Sequence, residues 1–121
     1  MKSQIIILHS ILDTIKCNKY YLSLIIRYKN NKIIFTDDGE IHFHFFQYYD
    51  KYKPFQIKKI QSICKKYNCE YDFANKELIK KIDNNSNLLK FAVDIKNFLI
   101  CQSKIYEFIF DDKTEKRYYE N

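Results

Sequence analysis

The chain of 121 residues contains no tryptophan, one glycine, one proline and two alanines, Ala74 and Ala92. One glycine cannot build a glycine-rich phosphate loop, so the nucleotide-binding fingerprints that depend on such loops are excluded. Arginine is nearly absent as well: of 21 basic residues only Arg27 and Arg117 are arginine. Lysine, isoleucine, asparagine, tyrosine and phenylalanine are abundant instead. The abundant residues have AT-rich codons and the scarce ones GC-rich codons. This points to an AT-rich genome, such as that of a host-associated bacterium, its phages or its mobile elements.

Long apolar runs are missing too. The N-terminal stretch Ile5–Leu8 is apolar for only four residues before His9 and Ser10, too short for a signal-peptide core. No segment approaches the roughly 20 apolar residues of a membrane span. The expectation is a cytoplasmic chain whose four cysteines, Cys17, Cys64, Cys69 and Cys101, are reduced thiols.

What is present is a folding composition. Hydrophobic residues make up 46% of the chain and aromatics 17%, unlike a disordered sequence. The length fits one domain. Net charge is +6 and uneven: residues 1–60 carry net +5 and residues 61–121 net +1. An anionic partner would therefore meet the N-terminal half. Because phosphate and base readout favours the arginine fork, the lysine-dominated charge is equally accounted for by codon usage.

Hydrophobic spacing predicts a helix over 4–17, with Ile5, Leu8, Leu12 and Ile15 on one face and Ser3 as cap. Alternation predicts a strand over 20–28. A polar turn, Lys29-Asn30-Asn31-Lys32, leads to a second strand over 33–36. Asp37-Asp38-Gly39 reads as a hairpin turn, since its glycine supplies positive φ. A third strand over 40–46 then alternates Ile41, Phe43 and Phe45 with His42, His44 and Phe46. Pro54 opens a helix over 55–67. Short strands over 69–74 and 76–82 join near Asn75. Asp83-Asn84-Asn85-Ser86 breaks the chain before a helix over 87–110. The reading is an α+β domain over 1–110 in α-βββ-α-ββ-α order, with an antiparallel sheet of about five strands, three helices packed on it, and a charged tail over 111–121.

The stretch Ile33-Ile-Phe-Thr-Asp-Asp-Gly-Glu40, in this order of elements, resembles a family of small bacterial and phage proteins, domain of unknown function family 1828. Those chains carry a similar strand, an Asp-Asp-Gly turn and a Glu, then a helix and two short strands. The likeness extends from residue 5 to about 108. Where the family usually continues with threonine, this chain has Ile41. The resemblance implies a fold and a mobile-element setting, and no catalytic residue; separately, no cofactor is expected.

Several side chains are candidates for chemistry. His42 and His44, on one strand face, are a possible start of a metal site, and Cys64 and Cys69 a possible half of one. The plainer readings are outward strand residues and small buried apolar groups. His9 with Ser10 and Asp13 does not arrange a nucleophile beside a base. Asp37 and Asp38 are paired carboxylates that could do acid/base work or bind Mg²⁺, but turn chemistry is the plainer and favoured reading.

The densest feature lies over 48–59. Tyr48, Tyr49 and Tyr52 are interleaved with Lys51 and Lys53 and followed by Lys58 and Lys59, with Lys65 and Lys66 on the same helix. Aromatics among basic residues stack bases and neutralise phosphates; tyrosine is equally an interface anchor; codon bias alone would also produce such a loop. The function expected from this composition is non-enzymatic: a small phage or mobile-element protein that binds and inhibits a larger host protein or ribonucleoprotein, such as a CRISPR effector nuclease or its guide RNA complex. A direct RNA- or DNA-binding module is the alternative. A metal-dependent nuclease using Asp37, Asp38, Glu40 or His42 is a further one.

Overall fold

The computed structural model describes residues 2–17, 19–83 and 87–110. It is α+β. The elements are helix α1 (Lys2–Cys17), strands β1 (Ile25–Lys29) and β2 (Lys32–Thr36), helices α2 (Glu40–Phe45) and α3 (Pro54–Lys66), strands β3 (Glu70–Asp72) and β4 (Glu77–Ile82), and helix α4 (Leu88–Phe110). The four strands form one antiparallel sheet in the order β1-β2-β4-β3.

Local chemistry accounts for most boundaries. Asn30 and Asn31 both take left-handed conformations (φ 52° and 62°) between the paired Lys29 and Lys32. This is the two-residue turn whose twist matches a hairpin, and asparagine tolerates it. Between β3 and β4 the Asp72 carboxylate accepts the N–H groups of Ala74 and Asn75, both at 3.0 Å. Those bonds, the one to Asn75 foremost, hold its carboxyl below the ordinary range. Pro54 stands at the first position of α3, where its missing N–H costs nothing. Asn87 caps α4, its Oδ1 accepting the Lys90 N–H at 2.8 Å.

Two segments depart from the sequence reading: the first strand, read over 20–28, begins only at Ile25, and the third strand is absent. Residues 40–45 are helix, not a third strand, so the described residues form a four-stranded sheet and four helices. The order is α-ββ-αα-ββ-α, and the order that carried the family resemblance is corrected at this element. The physical reason is a competition of periods. Ile41, Phe43 and Phe45 fit a strand, but Ile41 and Phe45 are both fully buried while Phe43 is 60% exposed, the spacing of one helix face. Gly39 does need positive φ (82°), and Asp38 shares it (55°). Two such residues in succession start α2 instead of closing a hairpin. A Cβ on Gly39 would meet the Lys76 carbonyl at 3.4 Å. Gly39→Ala is expected to cost about 1 kcal/mol in chemical denaturation, chiefly through its φ.

The helices cover one face of the sheet. Phe35, Tyr71, Leu78 and Ile82 from the strands meet Ile60 and Cys64 of α3 and Phe98, Cys101, Ile105 and Ile109 of α4 in one buried cluster. Ile11, Ala92 and Leu99 make a smaller cluster between α1 and α4. Lys80 also faces inward, opposite Phe35, and is only 4% exposed. Its ammonium escapes to the end of α3, bonding the carbonyls of Tyr67 (2.8 Å) and Asn68 (3.2 Å), where the helix presents unpaired acceptors. At the sheet edge all five residues of β1 are exposed. Arg27 and Lys29 supply charge on that edge, a usual guard against strand-to-strand association.

Candidate binding surface

The Asp-Asp-Gly turn resolves into a structural hub. Asp37 is completely buried. Its Oδ1 accepts the N–H groups of Gly39 (3.1 Å) and Leu78 (2.9 Å), and its Oδ2 that of Ile41 (3.0 Å). One carboxylate thus joins the end of β2, the start of α2 and the neighbouring strand β4. Asp38 pairs with Arg27, which also reaches Glu77 at 3.2 Å, and Glu77 accepts from the Thr36 hydroxyl at 3.1 Å. Glu40 lies 3.4 Å from His44 along α2. His42 Nδ1 is 3.1 Å from the Tyr52 hydroxyl and its ring packs 4.2 Å from Phe46. Burial, then the charge of Lys76, lowers its pKa. His42 and His44 therefore sit on a helix and have different partners. Asp37, Asp38, Glu40 and His42 do not converge, and among the described residues no group of three His, Cys, Asp or Glu is placed to hold a metal ion.

The tyrosine and lysine cluster is divided by the fold. Tyr48 is 63% exposed. Tyr49 is a core residue: buried, tilted against Phe45 (centroids 4.8 Å) and donating its hydroxyl hydrogen to the Ile109 carbonyl at 3.1 Å. Tyr52 is half-buried among Phe45 (4.2 Å, stacked), Phe73 and Tyr71. Its hydroxyl lies 2.6 Å from that of Tyr71, and burial foremost pushes its pKa up to about 12. Lys51, Lys58, Lys59, Lys65 and Lys66 are exposed and Lys53 half-buried. The last four of the exposed set lie along the solvent face of α3. Of the three expected tyrosine anchors only Tyr48 is presented to a partner.

Tyr48 belongs to a cleft the sequence did not reveal. It has a volume of about 360 Å³ and is lined by Lys19, Tyr20, Tyr21, His44, Gln47, Tyr48, Tyr106 and Phe110. The floor is a stack: Tyr20 on Tyr106 (5.4 Å) and Tyr106 on Phe110 (6.0 Å), with Tyr48 edge-on to Phe110 (5.5 Å). Lys19 Nζ lies 5.1 Å from the Tyr20 ring, within cation–π range. Tyr21 stands at the rim, 69% exposed. The Tyr106 hydroxyl is buried without a hydrogen-bond partner among the described residues, and its pKa is raised by that burial ahead of the nearby charges of Asp37 and Glu40. The cleft is made from three distant stretches: the lead into β1, the end of α2 with the turn after it, and the last turns of α4.

No family model, curated protein or solved structure matches this chain. Among the described residues no helix is long and apolar enough to cross a membrane.

Proposed function

We propose that this chain is a non-enzymatic binding protein that acts by occupying a surface of a larger host protein, in its most specific form a CRISPR effector nuclease or its guide RNA complex. The observation that supports this reading best is the fate of the exposed aromatics. Tyr21 and Tyr48 flank the cleft with most of their surface in water, and Phe43 projects from the nearby α2 at 60% exposure. Large aromatic side chains left exposed beside a preformed hollow are typical of interface anchors, which gain their energy on burial by a partner. Meanwhile the ionisable groups that could do chemistry are taken up by internal hydrogen bonds and ion pairs.

A pull-down of the tagged chain from host lysate, with and without RNase, tests the reading. One stoichiometric protein that survives RNase is the expected result. Tyr21→Ala combined with Tyr48→Ala is expected to weaken capture at least about tenfold. Because neither residue is buried, the thermal midpoint should stay within a few degrees. Undiminished capture by this variant would remove the cleft as the contact surface.

One observation favours nucleic acid as a second reading: Lys19 and His44 sit within the same tyrosine-walled cleft, an arrangement suited to stacking a base beside a phosphate. That reading expects recovery of mainly RNA, lost on RNase treatment, and a steep fall of affinity with salt.

A further inference from the structure

Helix α3 carries charge of one sign only. Its thirteen residues, Pro54–Lys66, include Lys58, Lys59, Lys65 and Lys66 and no aspartate or glutamate. All four lysines are exposed. Helical geometry puts Lys58 and Lys65 on one line along the helix and Lys59 and Lys66 on a second, each pair two turns, or about 10 Å, apart. The two lines stand about 100° apart around the axis, with the exposed Ser62 between them. Gln56, Ile60 and Cys64 are buried on the opposite side, so the lysines face away from the core.

This charge is uncompensated. Lys81, Lys90 and Lys104 each have a carboxylate oxygen nearby, at 3.9, 3.9 and 3.4 Å. Among the described residues none of the four lysines of α3 forms an ion pair. Helices α1 and α4 carry lysines and acids together, the mixture from which pairs three and four residues apart are made. An AT-rich genome raises lysine throughout a chain, but it does not remove the acids from one helix. The helix dipole favours Lys65 and Lys66 in the last turn and gives nothing to Lys58 and Lys59, which stand farther from that end.

Two lines of ammonium groups fit a partner with two rows of regularly spaced anions. Lysine meets phosphate as a point charge. No large apolar side chain of α3 is exposed, so this face has no platform for the bases of a single strand and no apolar strip to enter a bilayer. Without arginine it has no fork for guanine. The B-form major groove, about 12 Å wide, admits a helix; the A-form one is too narrow for side chains to read.

We propose that the lysine face of α3 is a sequence-independent contact for double-stranded DNA. The helix lies along the major groove, with Lys58 and Lys65 towards one phosphate strand and Lys59 and Lys66 towards the other. None of these residues lines the tyrosine cleft, so the contact does not depend on what that cleft meets.

Fluorescence anisotropy of a labelled, mixed-sequence DNA duplex of about 20 base pairs, titrated with the full chain, tests the proposal. Four neutralised phosphates give a log–log salt slope of about −3.6, a loss of about 150-fold in affinity from about 50 to about 200 mM salt. Lys58→Gln, Lys59→Gln, Lys65→Gln and Lys66→Gln together are expected to weaken binding at the lower salt at least about tenfold and to flatten the slope. Lys58→Gln with Lys59→Gln, which leaves the last turn of α3 intact, should remove about half of the slope and keeps the test decisive if the fourfold variant is unstable. The same charge removed elsewhere, by Lys16→Gln, Lys29→Gln, Lys32→Gln and Lys76→Gln at exposed positions, should change affinity by less than about threefold, since those groups neutralise no phosphate. Tyr21→Ala with Tyr48→Ala should bind the duplex as the native chain does, so a failed cleft and a failed lysine face give different results. No binding of the duplex by the native chain, an equal loss in the two fourfold variants, or tighter binding to an RNA duplex or a single strand of the same sequence would each overturn the proposal.

Discussion

Asp37→Ala is expected to cost about 3–5 kcal/mol, a large part of the stability of a domain of this size. The carboxylate holds three backbone N–H groups, of Gly39, Ile41 and Leu78, within 3.1 Å, in a site closed to water. Alanine leaves those donors without their acceptor, at about 1–3 kcal/mol for each that stays dry. It also removes the acceptor of the Ile41 N–H in the first turn of α2, and with it the placement of Ile41 and Phe45 in the core. Asp37→Asn separates the contributions. Its single carbonyl oxygen can keep the two bonds of Oδ1, but its amide would face the Ile41 N–H donor to donor. A loss of about 1–3 kcal/mol is expected, measured by chemical denaturation. Wild-type-like stability of Asp37→Ala would refute the hub.

The same residue sets a pH dependence. Burial raises the Asp37 pKa above its ordinary 3.8, against the three hydrogen bonds that lower it, and the charge of Glu77 adds to the rise. A carboxyl that holds its proton more tightly when folded favours the folded state at low pH. Its contribution therefore declines as pH rises from about 4 to the folded pKa, and is then constant. Measured against Asp37→Asn, which does not titrate, the native chain should lose relative stability across that window. A relative gain would mean that the hydrogen bonds outweigh burial.

The sequence reading succeeded where structure is decided within a few residues. Asn30-Asn31, Asn75 and Pro54 each mark a local geometry, and each stands where that geometry occurs. The spacing of apolar residues located α1, α3 and α4. It failed over 40–46 because seven residues support both periods. The deciding fact is the set of backbone N–H groups held by Asp37, which joins Gly39 and Ile41 to the distant Leu78. The pairing of β2 with β4 is likewise long-range and leaves no local mark. Lys80 looks like any solvated lysine, because its burial depends on the carbonyls of Tyr67 and Asn68, just past α3, within its reach. The cleft was illegible for the same reason. Tyr20 and Tyr21 were read as the start of a strand, and Tyr106 and Phe110 fell within the span read as the last helix. Only the folded chain brings them to Tyr48.

Adjacent tyrosines give the sharpest separation of fold from surface. Tyr49→Ala is expected to destabilise the chain by about 3–5 kcal/mol, the range for removing a buried aromatic, because it empties the space between Phe45 and the end of α4. Tyr49→Phe keeps the ring and loses only the hydroxyl bond to the Ile109 carbonyl, so about 1 kcal/mol is expected. Tyr48→Ala, one residue earlier, should change stability by no more than about 0.5 kcal/mol, its ring making an edge contact with Phe110 while 63% exposed. Tyr52→Ala belongs with Tyr49, since its ring fills the space among Phe45, Tyr71 and Phe73. Replacing all three tyrosines at once would therefore report unfolding, whatever the partner. Denaturation midpoints of the single variants distinguish the cases. If Tyr48→Ala proved as damaging as Tyr49→Ala, the Tyr48 ring would be part of the core and not free to meet a partner. If it is silent in stability but weakens capture of the partner, the binding energy lies in a side chain that the fold does not use.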